Sequence, residues 1–128
     1  MELKFLKAKY GIDFKLPESE FLKALNDTFS QKNNLGVFCA VQFRENLPEV
    51  MKFLNSKGFS TETSKPFRTS VEGQILGCDS YADSLRLNLL EIDGFVYIGD
   101  GYFHPNALLL AQEYEENIKP VIVVNVVQ

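Results

Sequence analysis

Cys78 ends the run Gly73-Gln74-Ile75-Leu76-Gly77-Cys78, which sets a thiol on a glycine-flanked backbone. Glycines at such positions permit angles barred to other residues and let a partner approach closely. A thiol displayed this way can ligate iron as the thiolate. The competing reading is a small buried hydrophobe, the usual state of a free cysteine. A second run, Tyr97-Ile98-Gly99-Asp100-Gly101-Tyr102-Phe103-His104-Pro105, ends an apolar strand in a glycine turn and opens a helix at His-Pro. Gly99-Asp100-Gly101 ahead of a helix suits a phosphate or carboxylate, because helix N-termini bind anions. Asp100 would repel an anion, however, so a tight turn with the Asp bonded to backbone competes with that reading. His104, the sole histidine, is a candidate proton carrier near neutral pH. No second titrating group neighbours it in sequence, which favours a structural or orienting role. Cys39, between Phe38 and Ala40 in an apolar strand, reads as a packed, inert thiol.

The elements that must position these residues follow from periodicity. Leu3, Phe5, Ala8 and Tyr10 roughly alternate with lysines, an extended segment with one wet face. From Glu18 the spacing turns helical, with Phe21, Leu22, Leu25 and Phe29 on one face, and Lys32-Asn33-Asn34 reads as the turn that ends it. Leu35–Val41 is the first buried strand. Asn46 has the look of an N-cap, with Glu49 three residues on. Leu47, Val50, Met51 and Leu54 form the apolar face of a helix closed by Gly58. Residues 59–63 read as a peripheral strand, 64–80 as loop, 82–90 as a helix with Leu85 and Leu89 on one face, and 95–98 as a buried strand. Pro105 suits the first turn of a helix that carries Leu108, Ala111 and Tyr114. Val121–Val127 is a last strand whose unbroken apolar character predicts burial on both faces.

This alternation predicts an α/β domain. It has three layers: a mainly parallel four-stranded sheet flanked by helices, with the N-terminal segment as a candidate extra strand. The whole chain, 1–128, reads as a single domain: an N-terminal segment and helix over 1–34 and a Rossmann-like core over 35–128. Right-handed crossovers put all strand C-terminal ends on one edge, where open α/β sheets bind ligands. Gln42, Gly99, Asp100, Gly101 and His104 each follow a strand end, so they are expected to share that rim.

Composition narrows the function classes. The chain has 128 residues and a formal charge of −4. Lys4, Lys7, Lys9 and Lys15 read as a solvated strand face, and nothing basic is dense enough to track a phosphate backbone, so no nucleic acid is expected as partner. The 2 cysteines form no C-x-x-C pair and no disulfide scaffold, which points to a reducing, cytoplasmic setting. No signal-peptide pattern is present and no apolar run reaches bilayer length, so no membrane is expected either.

The residues quoted above resemble the diphthamide synthase family, the 2-(3-amino-3-carboxypropyl)histidine synthases. Four pieces carry the resemblance, in the family's order and near its spacing. They are Val41-Gln42-Phe43, Gly73 to Cys78, Ile98 to Pro105, and Lys119-Pro120-Val121. The family's enzyme has three similar α/β domains, each giving one cysteine to a 4Fe–4S cluster, and this chain is similar to the middle one. The resemblance implies that Cys78 is the cluster ligand and that Cys39 matches no ligand position. It also implies the chemistry: S-adenosylmethionine as donor, a radical transfer of its 3-amino-3-carboxypropyl group, and a histidine of elongation factor 2 as acceptor. Gln42, Gly99, Asp100, Gly101 and His104 would help line the cavity. The segments that hold the first and third ligands are missing, and one thiolate cannot hold such a cluster. Other domains or subunits would have to supply the rest, or three copies of Cys78 would have to converge in a homotrimer. Two readings of other classes stand beside this one. The first is a non-catalytic scaffold for a partner subunit, with Cys78 inert. The second is a small phosphate- or nucleotide-binding domain that uses Gly99–Gly101, which lacks a full glycine fingerprint.

Overall fold

The computed structural model describes residues 3–9, 15–29, 33–64, 72–73, 86–99, 105, 108, 112 and 119–127, with backbone alone for 3–9 and 126–127. Its elements are β1 (Leu3–Lys9), α1 (Glu18–Thr28), β2 (Asn34–Cys39), α2 (Leu47–Ser56), β3 (Ser60–Glu62), β4 (Gly94–Gly99) and β5 (Val121–Val127). The strands form one 5-stranded sheet in the order β1-β5-β4-β2-β3, and every pairing is parallel. The α/β class expected from the alternation is therefore observed. The N-terminal segment is a full strand, paired with β5 from Leu3↔Val121 to Lys9↔Val127. Among the described residues, no helix is long and apolar enough to cross a membrane.

The central strands are apolar on both faces because both are covered. Every residue of β4 is buried, as are Val121 to Val124 of β5. The register puts Gly36, Phe38, Phe95 and Tyr97 on one face and Leu35, Val37, Cys39, Val96 and Ile98 on the other. The connections β1→β2 and β2→β3 run one way along the sheet, while β3→β4 and β4→β5 run back. With right-handed crossovers, α1 and α2 share a face and the later connections take the opposite one. Two contacts agree with this. Phe21 of α1 stacks on Phe53 of α2 with ring centroids 5.7 Å apart. Leu87, from the β3–β4 connection, reaches the other face, where its Cδ1 would lie 3.4 Å from a β-carbon on Gly36.

The helices form where periodicity places them. Phe21, Ala24 and Leu25 make the buried face of α1, and the chain leaves it at Phe29, also buried, in extended backbone. Leu22 lies at the margin of this face, half-buried. Leu47, Val50 and Leu54 bury one side of α2. Gly58, at φ 95, ends it: its N–H donates to Asn55 O and the Phe59 N–H to Leu54 O. That paired closure needs a left-handed residue, which glycine supplies without a Cβ penalty.

Four local expectations are corrected. The first buried strand stops at Cys39, not Val41. Ala40 N–H still donates to Ile98 O, but Val41–Phe43 then coils into a 3-10 turn with Val41 43% exposed. Asn34 opens β2 rather than ending a turn. Its N–H donates to Asp93 Oδ2 at 2.7 Å, and its amide donates to the Glu62 carboxylate and to Glu91 O. Asn46 does not cap α2. The chain enters the helix through consecutive turns, so Asn46 is already helical, at φ −87, ψ −14, and its side chain makes no cap bond. Finally, the helix expected over 82–90 is absent where it is described. Arg86 takes φ 55, and Asn88 is extended and accepts the Leu90 N–H on its side chain, opening a 3-10 turn at Leu89–Glu91. An Asn that bonds its own backbone competes with the helix. Residues 82–85 lie outside the described residues, as does most of the helix placed after Pro105. Leu108 N–H does donate to Pro105 O.

Candidate functional site

The strand order fixes where the chain's connections diverge. After β2 the chain turns toward β3, and after β4 it turns the other way, toward β5. The neighbouring C-terminal ends of β2 and β4 therefore flank a topological switch point, the place where open α/β sheets bind ligands. Gln42 sits exposed in the turn just after β2, and Gly99 is the buried last residue of β4. Two of the residues expected on one rim thus stand on opposite sides of the switch point. Cys78, Asp100, Gly101 and His104 lie outside the described residues.

Beneath Gly99 lies the Tyr97 ring, two residues back on the same face. A β-carbon on Gly99 would come within 2.5 Å of the Tyr97 hydroxyl and 2.7 Å of its Cε2. Glycine is therefore required so that this fully buried phenol can reach the rim. Sequence reasoning missed Tyr97 because it looks like one more core aromatic. The available signal was a large polar-tipped residue followed two positions later by glycine.

Gly73 ties the segment that precedes Cys78 to the same edge. Its carbonyl accepts the Cys39 N–H at 2.7 Å, and its own N–H donates to Ser64 O at 2.7 Å. It takes φ 84, and a β-carbon there would overlap a Leu47 methyl.

Cys39 is sealed in the core, 0% exposed. Burial pushes its thiol from 9.0 up to about 12, because the low-dielectric core disfavours the thiolate. Metal ligation needs the thiolate, so Cys39 does not fit as a ligand. The raised value also gives a pH prediction. Below pH 9.0 both folded and unfolded chains keep this proton. Above it the unfolded chain releases the proton first, so stability falls toward pH 12 by at most about 1.4 kcal/mol per pH unit. Urea unfolding at pH 8 and pH 10 should show wild type losing about 1 kcal/mol more than Cys39→Ala. Equal losses in the two proteins would contradict the assignment.

Gln112 is a buried polar residue, 1% exposed. Its Nε2 donates to Leu108 O at 2.9 Å and Lys119 O at 3.2 Å, and its Oε1 accepts the Lys119 N–H at 2.7 Å. Lys119 Nζ reaches Leu89 O at 3.5 Å. The Lys119-Pro120-Val121 piece is thus held at the start of β5 by a side chain that the sequence reading passed over. A polar residue four positions beyond the buried Leu108 was the available clue.

Among the described residues, no group of three or more His, Cys, Asp and Glu side chains could hold a metal ion. What fold and edge define is an open, all-parallel α/β domain with a topological switch point between β2 and β4. Comparison with known proteins names its kin. The family model described as "Putative diphthamide synthesis protein" matches residues 2–128, and the chain belongs to that family. It is similar to 2-(3-amino-3-carboxypropyl)histidine synthase of Pyrococcus horikoshii, 32% identical over 70% of this chain and 26% of the relative. It is also similar to subunit 1 of that synthase from Kluyveromyces lactis, 28% identical over 77% of this chain and 23% of the relative. Subunit 1 from Debaryomyces hansenii is 28% identical over 73% of this chain and 22% of the relative. The chain spans about a quarter of the length of these curated relatives. No solved structure matches it.

Proposed function

We propose that this chain acts as one α/β domain of a 2-(3-amino-3-carboxypropyl)histidine synthase and supplies Cys78 as one thiolate of a 4Fe–4S cluster. The remaining ligands come from other domains or subunits. When bound, such a cluster supplies the electron for radical cleavage of S-adenosylmethionine, and the acceptor is a histidine of elongation factor 2 in the cytoplasm. The observation that carries the reading is the family match across residues 2–128. The switch point supports it, because Gln42 and Gly99 flank the place where the fold binds ligands. The described residues alone do not fit a cluster: Cys39 is sealed and protonated, and no other cysteine is described. This chain's part is accordingly limited to one ligand and the cavity wall. Gln42, Gly99, Asp100 and Gly101 shape the wall around donor and substrate. His104 orients the substrate by hydrogen bonding.

Anaerobic iron–sulfide reconstitution of the chain together with its complementary domains tests the reading. Cys78→Ala is expected to lose nearly all cluster iron and transferase activity, and Cys39→Ala to keep both. Equal iron and activity in wild type and Cys78→Ala would defeat the catalytic reading. That result would favour a scaffold role, which the match to only about a quarter of each relative's length also suits.

A further inference from the structure

We propose that Asn125 is a specificity-determining residue which, with the Tyr97 hydroxyl, reads the adenine of the donor across the side-chain position that Gly99 leaves empty. The inference rests on the reading of S-adenosylmethionine as donor. Asn125 departs from the pattern of its own strand. Val121 to Val124 are each 0% exposed, as a parallel strand covered on both faces requires. Asn125 follows them as a half-buried polar residue. Asparagine is depleted in strands, because its side chain competes for nearby backbone groups. Local preferences broken in this way are expected at functional positions.

Register puts this departure at the rim. Gly99, the last residue of β4, pairs with Asn125, and Tyr97 pairs with Val123 two residues back. Paired residues of a parallel sheet share a face, and side chains repeat on that face every second residue. Tyr97, Gly99 and Asn125 therefore lie on one face at the C-terminal edge. The Tyr97 hydroxyl comes within 2.5 Å of where a Gly99 β-carbon would stand, and neighbouring strands run ~5 Å apart. The hydroxyl and the Asn125 β-carbon are thus no more than ~8 Å apart, with no β4 side chain between them. An amide offers a donor and an acceptor side by side, and a phenol offers both on one atom. Neither group is charged. Such a pair matches a neutral edge that sets a donor beside an acceptor, which is the pattern of adenine at N6 and N7. A carboxylate or phosphate is matched by a cation instead. Lys7 is the β1 partner of Asn125, so it stands outside the pair, two strands from Gly99. The base is the neutral part of this donor, whose methionyl end carries the charges.

Binding of adenosine and inosine tests the inference, because inosine replaces the N6 donor by a carbonyl. The chain is assembled with its complementary domains, without iron, and titrated by calorimetry. Wild type is expected to prefer adenosine about tenfold, the worth of one bidentate base contact. Asn125→Leu is expected to weaken adenosine about tenfold and to lose the preference. Tyr97→Phe, which removes only the hydroxyl, should weaken adenosine about fivefold. Wild type with no preference, or with no affinity for either nucleoside, would overturn the inference. So would an Asn125→Leu protein that still prefers adenosine, or a Tyr97→Phe protein that binds as wild type does. A purely structural Asn125 gives the first of these two results, lowering thermal stability and leaving the preference intact. If Asn125→Leu does not fold, Asn125→Val, which matches its neighbours in the strand, carries the same test. The parent reading fails separately, by unchanged iron in Cys78→Ala, because the nucleoside preference is read without a cluster.

Discussion

Gly94→Ala is expected to destabilise the chain by about 3 kcal/mol, at the upper end of overpacking costs. Gly94 opens β4 beneath Phe29, the residue that leaves α1 in extended backbone. A β-carbon there would fall on the Phe29 ring and lie 3.2 Å from Pro120 O. Neither neighbour can retreat. Phe29 is held edge-on by Phe59, with ring centroids 6.5 Å apart, and its N–H is bonded to Leu25 O. Pro120 O accepts the Phe95 N–H at 3.0 Å, so moving it opens the β4–β5 ladder. Thermal unfolding should register a fall of about 10 °C for a domain of this size. Phe29→Leu in the same chain should recover part of the loss, because the two side chains compete for one space. A variant that melts within about 2 °C of wild type would show that Phe29 does not bear on Gly94 as described.

Gln112→Leu is expected to cost about 3 kcal/mol, although it places an apolar residue in an apolar site. Three hydrogen bonds vanish together. Leucine offers no partner to the Lys119 N–H or to the Leu108 and Lys119 carbonyls, and stranded buried polar groups cost about 1–3 kcal/mol each before relaxation. Gln112→Glu separates the two halves of the clamp. A carboxylate still accepts the Lys119 N–H but cannot donate to a carbonyl until it is protonated, and burial raises its folded pKa, so this variant should gain stability relative to wild type as pH falls from neutrality toward the unfolded value of about 4.3. Urea unfolding of both variants at pH 7 and pH 4.5 reads the effect. A Gln112→Leu chain as stable as wild type would mean that the clamp contributes nothing net.

Gln112 and Cys39 show how residue type misleads when surroundings are unknown. A glutamine between helical apolar positions looks solvated, and only the packing of Lys119 against it reveals a buried clamp. Cys39 was readable because its neighbours Phe38 and Ala40 sit in a strand with no polar alternation. Asn46 had an N-cap's residue type, but the turns upstream leave it in helical backbone, and its side chain makes no cap bond. Val41 is apolar and reads as strand. Yet the ladder on β2 ends at Ala40, and Gly73 occupies the adjoining position, so the chain coils away. The rim was legible only in part. Gln42 and Gly99 were placed by counting strand ends. Tyr97 was not, because its approach to the rim depends on the missing β-carbon of Gly99.

Taken by itself, the order of residues determined the local elements and their alternation, and through the Gly73–Cys78 and Ile98–Pro105 runs it pointed to the family. Those signals are local: periodicity, capping and glycine geometry act within a turn or two of the chain. The tertiary structure decided the strand order β1-β5-β4-β2-β3, the position of the switch point between β2 and β4, and the sealing of Cys39. Each of these depends on which distant surfaces bury one another, and burial is a property of neighbours that no single stretch of sequence contains.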